Sequence, residues 1–98
     1  MAVTFANPIH PGEFLREEYL VPLALSPGKL ARALGVPRTR IERIVREEIG
    51  ISPDTAFRLA RFFSTTPVFW LNLQLAYDLE SEAPRLAGEI EKIVPYAA

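Results

Sequence analysis

Arginine is concentrated in one short stretch of this chain: Arg38, Arg40, Arg43 and Arg46 crowd together, with Thr39 among them. A guanidinium presents a planar fork of donors that fits a phosphate or the N7 and O6 edge of guanine, and a threonine can meet a base edge or a thymine methyl. Those residue types point to nucleic acid if a helix carries them. At about 100° per residue, Ile41, Ile44 and Val45 fall on one face and Thr39, Arg43 and Arg46 on the other, with Arg38 and Arg40 at the flanks. The plainer reading is a solvated helix steadied by pairing of Glu42 with Arg46.

Other chemistries lack their residues. Without cysteine there are no disulfides and no thiolate metal sites. The single histidine, His10, precedes Pro11, a place for a cap or a surface residue rather than a paired catalytic base. No metal-ligand spacing and no glycine-rich phosphate loop is present, and Ser26, Ser52, Ser64 and Ser81 stand where caps or loops are expected. No enzyme activity, cofactor or metal is expected.

The arginine-bearing helix needs a support that points it outward, and the residues before it describe one. Ser26-Pro27 reads as an N-cap and first helical residue, Gly35 as a left-handed turn residue, and Pro37 as the restart of a helix. Ala31, Gly35 and Ile41 have the sizes a helix-turn-helix requires: small at the helix contact, without Cβ in the turn, and branched where the second helix enters the core. In that motif the second helix enters the major groove and the first crosses the backbone. Phosphate contacts are expected from Lys29, Arg32 and the helix N-terminus at Gly28 and Lys29. The predicted DNA-contacting set is therefore Gly28, Lys29, Arg32, Arg38, Thr39, Arg40, Arg43 and Arg46.

Charge is distributed to match. The net charge is -1, yet residues 29–61 carry +4, residues 1–28 carry -2 and residues 62–98 carry -3. A basic middle with acidic ends suits nucleic acid on one surface and a basic protein on another. With 98 residues and 49% hydrophobic content, one core is expected. The start lacks a basic leader and no run is long enough to span a membrane, so a cytoplasmic location with no membrane partner is expected.

The remaining chain reads as helices around this pair. Residues 1–9 form an arm, a first helix runs from Glu13 to Tyr19 or Leu20 with Phe14, Leu15 and Tyr19 inward, and Val21 to Leu25 connects. Glu47 to Ile51 is a loop, and Ser52-Pro53-Asp54 opens a fourth helix that buries Ala56, Leu59, Ala60 and Phe63. Its Arg58 and Arg61 face outward, where phosphate contact and plain solvation are equally open. Thr66-Pro67 caps a fifth helix with two apolar faces: Phe69, Trp70, Leu73 and Tyr77 on one, Val68, Leu71, Leu75 and Leu79 on the other. The second face, with Asn72, is expected to form a homodimer interface, which would set two reading helices about 34 Å apart on a palindromic site. The alternative is that the C-terminal segment covers it. Residues 81–98 make an acidic extension with one more short helix from Pro84 to Ile93. The fold class predicted is all-α, about five helices over residues 10–80.

Four motifs in order carry a family resemblance: HPGEFLREEYLVPL, LARALGVPRTRIERIV, ISPDTAFRLARFF and TPVFWLNLQLAYDLE. Together the chain resembles the HigA-type antitoxins, small lambda-repressor-like (XRE) helix-turn-helix proteins of type II toxin-antitoxin modules. The resemblance implies a dimeric autorepressor that neutralises a RelE-like messenger RNA endonuclease, with DNA contacts at Arg38, Thr39, Arg40 and Arg43 and a dimer surface on the helix holding Trp70 and Leu71. Family members commonly carry Gly and basic residues after the recognition helix, whereas this chain has Glu47-Glu48-Ile49, acids that should weaken DNA binding. Two other readings stand beside it: a stand-alone transcription regulator without a toxin, and a helical protein-interaction module with weak DNA binding.

Overall fold

The computed structural model describes residues 8–97. Nearly all of the arm expected over residues 1–9 lies outside them. Five helical runs follow one another, with no strand among the described residues: α1 (Pro11–Leu15), continued by a π-helical turn (Arg16–Leu20), then α2 (Pro27–Leu34), α3 (Arg38–Val45), α4 (Pro53–Phe63) and α5 (Pro67–Glu91).

Four of the five starts are capped by a side chain; that of α3, after Pro37, is not. The side chains of Ser26, Ser52 and Thr66 accept hydrogen bonds from the amides of Lys29, Thr55 and Phe69, and each is followed by a proline that donates nothing where nothing is needed. His10 caps α1 in the same way, its Nδ1 accepting from the Gly12 amide at 2.9 Å. Gly35 ends α2 in the left-handed conformation at φ 72°, and Gly35-Val36-Pro37 forms the turn.

The core is built from the faces the helical period selects. Leu15, Leu30, Ile41, Ile44, Ala56, Leu59 and Trp70 are fully buried. Phe14, Tyr19, Phe63 and Phe69 surround Trp70 in tilted and edge-on contacts, and the indole Nε1 donates to Thr65 Oγ1 at 2.8 Å. Gly12 lets α1 cross the end of α3 backbone to backbone, since a Cβ there would lie 1.7 Å from the Ile44 carbonyl oxygen.

Two expectations need correction. The first helix does not stay α-helical to Leu20 but widens into the π turn. The extension is not a separate short helix beginning at Pro84. α5 runs unbroken through Pro84, and the backbone has no break at residue 80. Proline there supplies no N–H to the Glu80 carbonyl, a loss an exposed helix surface leaves to water. Helix-forming residues on both sides, and pairing of Arg85 with Glu82, carry the helix onward.

Candidate nucleic-acid interface

α3 lies against the body through Ile41 and Ile44, both fully buried, with Val45 half-buried, so its opposite face is open. Thr39, Arg43 and Arg46 are exposed together with Arg38, as the helical period required. At the neighbouring N-terminus of α2, Gly28 is overlaid by the Arg38 side chain, and a Cβ on Gly28 would meet Arg38 Cδ at 3.1 Å. Ser26, Gly28, Lys29, Arg32 and Arg38 line one shallow hollow. The structure thus brings Gly28, Lys29, Arg32 and Arg38 together around that hollow and leaves Thr39, Arg43 and Arg46 exposed on α3.

Arg40 stands apart. It is drawn towards α4, where its Nη1 donates to Asp54 Oδ2 at 2.6 Å. Arg40 and then Arg58, beside Asp54, hold that carboxyl below its usual range. Two other arginines of α3 also have carboxylates near them: Arg38 pairs with Glu42 at 3.2 Å and Arg43 with Glu48 at 3.5 Å. Arg46 has no ion-pair partner among the described residues; the pairing with Glu42 considered from the sequence goes to Arg38 instead.

The acidic loop after α3 has a definite geometry. Glu47 occupies the left-handed region at φ 64°, and its carboxylate turns towards Arg16 at 3.4 Å, away from α3's open face. Of the two acids, only Glu48 contacts an arginine of the predicted DNA-contacting set. The loop is tethered further on by Gln74, whose Oε1 accepts from the Ile51 amide at 2.7 Å while its Nε2 donates to Asp78 at 2.9 Å.

Two arginines outside the predicted DNA-contacting set, Arg16 and Arg58, anchor the motif. Arg58 Nη1 donates to the Leu34 carbonyl at 2.8 Å, and Arg16 Nη1 donates to the Val45 carbonyl, so each cation sits at the negative end of one of the two helices. Phosphate contact and plain solvation are both open to Arg58 from the sequence; its guanidinium is instead bonded to Asp54 and to the Leu34 carbonyl. Its spacing one turn after Asp54 hinted at the ion pair, but nothing local signalled the contact with α2.

On α5, Val68, Leu75 and Leu79 are 60%, 54% and 61% exposed, and Asn72 is exposed too. Leu71 differs from the rest of the expected dimer set, being half-buried against the chain's own core. The C-terminal segment does not cover this face, because it continues outward in the same helix. Leu79, Ala83, Leu86 and Ile90 instead prolong the apolar stripe along an open groove.

Comparison with known proteins agrees with this architecture. A family model described as Helix-turn-helix matches residues 16–70. Virulence-associated protein I of Dichelobacter nodosus is 58% identical over 72 residues, covering 74% of this chain and 67% of that protein. Antitoxin HigA-1 of Vibrio cholerae is 34% identical over 95 residues, covering 97% of this chain and 90% of the antitoxin. The solved structure of Pseudomonas aeruginosa antitoxin HigA with higBA promoter is similar at a TM-score of 0.88 and 46% identity, covering 93% of this chain and 100% of that one. Two of these three are HigA antitoxins, and with the lambda-repressor-like arrangement of five helices they place the chain: it belongs to the helix-turn-helix family and, within it, to the HigA-type antitoxins, a family of DNA-binding proteins rather than enzymes.

Proposed function

We propose that this chain binds operator DNA as a two-fold dimer, represses its own operon, and neutralises a basic, RelE-like messenger RNA endonuclease. The observation that carries the DNA part is the exposed face of α3 holding Thr39, Arg43 and Arg46, next to a helix whose Lys29 and Arg32 line a shallow hollow with Arg38. Phosphates would be held by the α2 end and its cations, and bases read from α3. The exposed stripe of Val68, Leu75 and Leu79 is the surface that would pair two copies. Support for a basic partner comes from the acidic balance of residues 62–98, which carry -3.

Fluorescence anisotropy on a labelled duplex from the chain's own upstream region tests the first part. Binding should weaken steeply with salt, and Arg43→Ala should cost about 1–3 kcal/mol if Arg43 reads a base. No binding at low salt removes the repressor reading. Co-purification with the product of an adjacent small basic open reading frame, and rescue of growth when both are expressed, tests the toxin part. If neither occurs while the duplex is bound, the chain is a stand-alone regulator.

A further inference from the structure

Among the described residues, Arg40 is the one arginine of α3 whose guanidinium is tied to a different helix. Arg38 pairs within α3, and Arg43 pairs with Glu48 just past its end. Arg40 Nη1 donates to Asp54 Oδ2 at 2.6 Å, in the first turn of α4. That oxygen cannot simply follow Arg40 as it moves. It also accepts from Arg58 Nε at 3.0 Å, and Arg58 Nη1 donates onward to the Leu34 carbonyl at 2.8 Å. A continuous chain of contacts therefore runs from the end of α2 through Arg58 and Asp54 to Arg40. Its effect shows in exposure: the Arg40 side chain is 36% exposed, against 72% for Arg38 and 55% for Arg43.

We propose that Asp54 is a positioning residue for sequence reading, fixing the Arg40 guanidinium in one orientation before DNA arrives. This rests on the operator-binding reading above. The pair engages one donor of the fork and leaves its other N–H groups uncommitted. An arginine already ordered loses less conformational freedom on binding and offers its free edge in one direction, which favours a base at a fixed place over any phosphate within reach. Two guanidinium groups on one carboxylate also offset the repulsion that an acid beside a duplex would otherwise cause.

The test is a panel of duplexes from the upstream region, each with one base pair changed, titrated with the full-length protein. The position at which wild type discriminates and Arg40→Ala does not is the one that Arg40 reads. Asp54→Asn should lower discrimination there by about fivefold or more while leaving other positions as they were, and Asp54→Glu should restore part of it. If Asp54→Asn shifts every duplex by one common factor or shifts none, or if Arg40→Ala loses discrimination nowhere, the proposal is overturned. Should Asp54→Asn fail to fold, Arg58→Lys decides. It keeps the charge but lacks the fork that donates from Nε to Asp54 and from Nη1 to Leu34 at once, and it must produce the same selective loss; an unchanged profile overturns the proposal. Absence of wild-type binding to any duplex at low salt is a different result, one that removes the operator reading itself and this proposal with it.

Discussion

At the scale of single residues, His10 shows how a modest side chain acquires a sharp requirement. It caps α1 only while Nδ1 is unprotonated, it is buried, and it meets the Tyr77 ring edge-on at 4.8 Å. Burial lowers its pKa from 6.5, although Glu47, Asp78 and Glu13 pull the other way. The unfolded chain then binds the proton more readily, so this contribution is intact above pH 6.5 and is lost as pH falls from there through the lower folded value. Urea midpoints measured from pH 7.5 downward should decline as pH drops below 6.5, and His10→Asn, which can still cap, should flatten that decline. The two acids after α3 make a second contrast. Glu48→Gln frees Arg43 and removes a charge near the duplex, so affinity for the upstream DNA should rise about two- to fivefold at low salt, the equivalent of an exposed ion pair, and the gain should fade as salt is raised. Glu47→Gly removes a carboxylate that faces Arg16 instead, and anisotropy should register almost no change.

At the scale of elements, the starts of α2, α4 and α5 were legible because each is announced by a hydroxyl residue and a proline, and the turn because Gly35 alone suits its conformation. The open face of α3 was legible because burial follows the helical period. The π turn was not, since a helical pattern of apolar residues does not say which carbonyl each amide will choose. Nor was the passage of α5 through Pro84. Proline marks a helix start as readily as it marks a break, and only the stability of the flanking turns decides. The anchors Arg16 and Arg58 were invisible for a different reason: their carbonyl partners lie 29 and 24 residues away in the chain. Gly12 belongs with them, conspicuous in its motif but explained only by α3 passing over it. Gly12→Ala should drive α1 and α3 apart and lower stability by about 2–4 kcal/mol, read as a large fall in the urea midpoint. A fall no larger than for an exposed substitution would mean that the crossing is not close.

At the scale of the whole molecule, α5 packs chiefly on α4 and α1 rather than on α2 and α3, so its apolar stripe can be changed without touching the helix pair. Leu75→Glu combined with Leu79→Glu places charge on side chains that are 54% and 61% exposed in the single chain. Monomer folding should hardly suffer, while sedimentation should show loss of the dimer. Affinity for a palindromic duplex should then fall at least about tenfold, because two linked contacts become one. Unchanged sedimentation would rule this stripe out as the seam of the proposed dimer. The molecule measures 53 Å along its longest axis and 27 Å across, and the unbroken α5 contributes much of that length. Such a rod is a lever. A load gripping its far tip finds no hinge at Pro84 in which to dissipate, so torque applied there would be delivered to the body that carries the helix pair, and in the proposed dimer clamping the tip would change how far apart the two helix pairs are held.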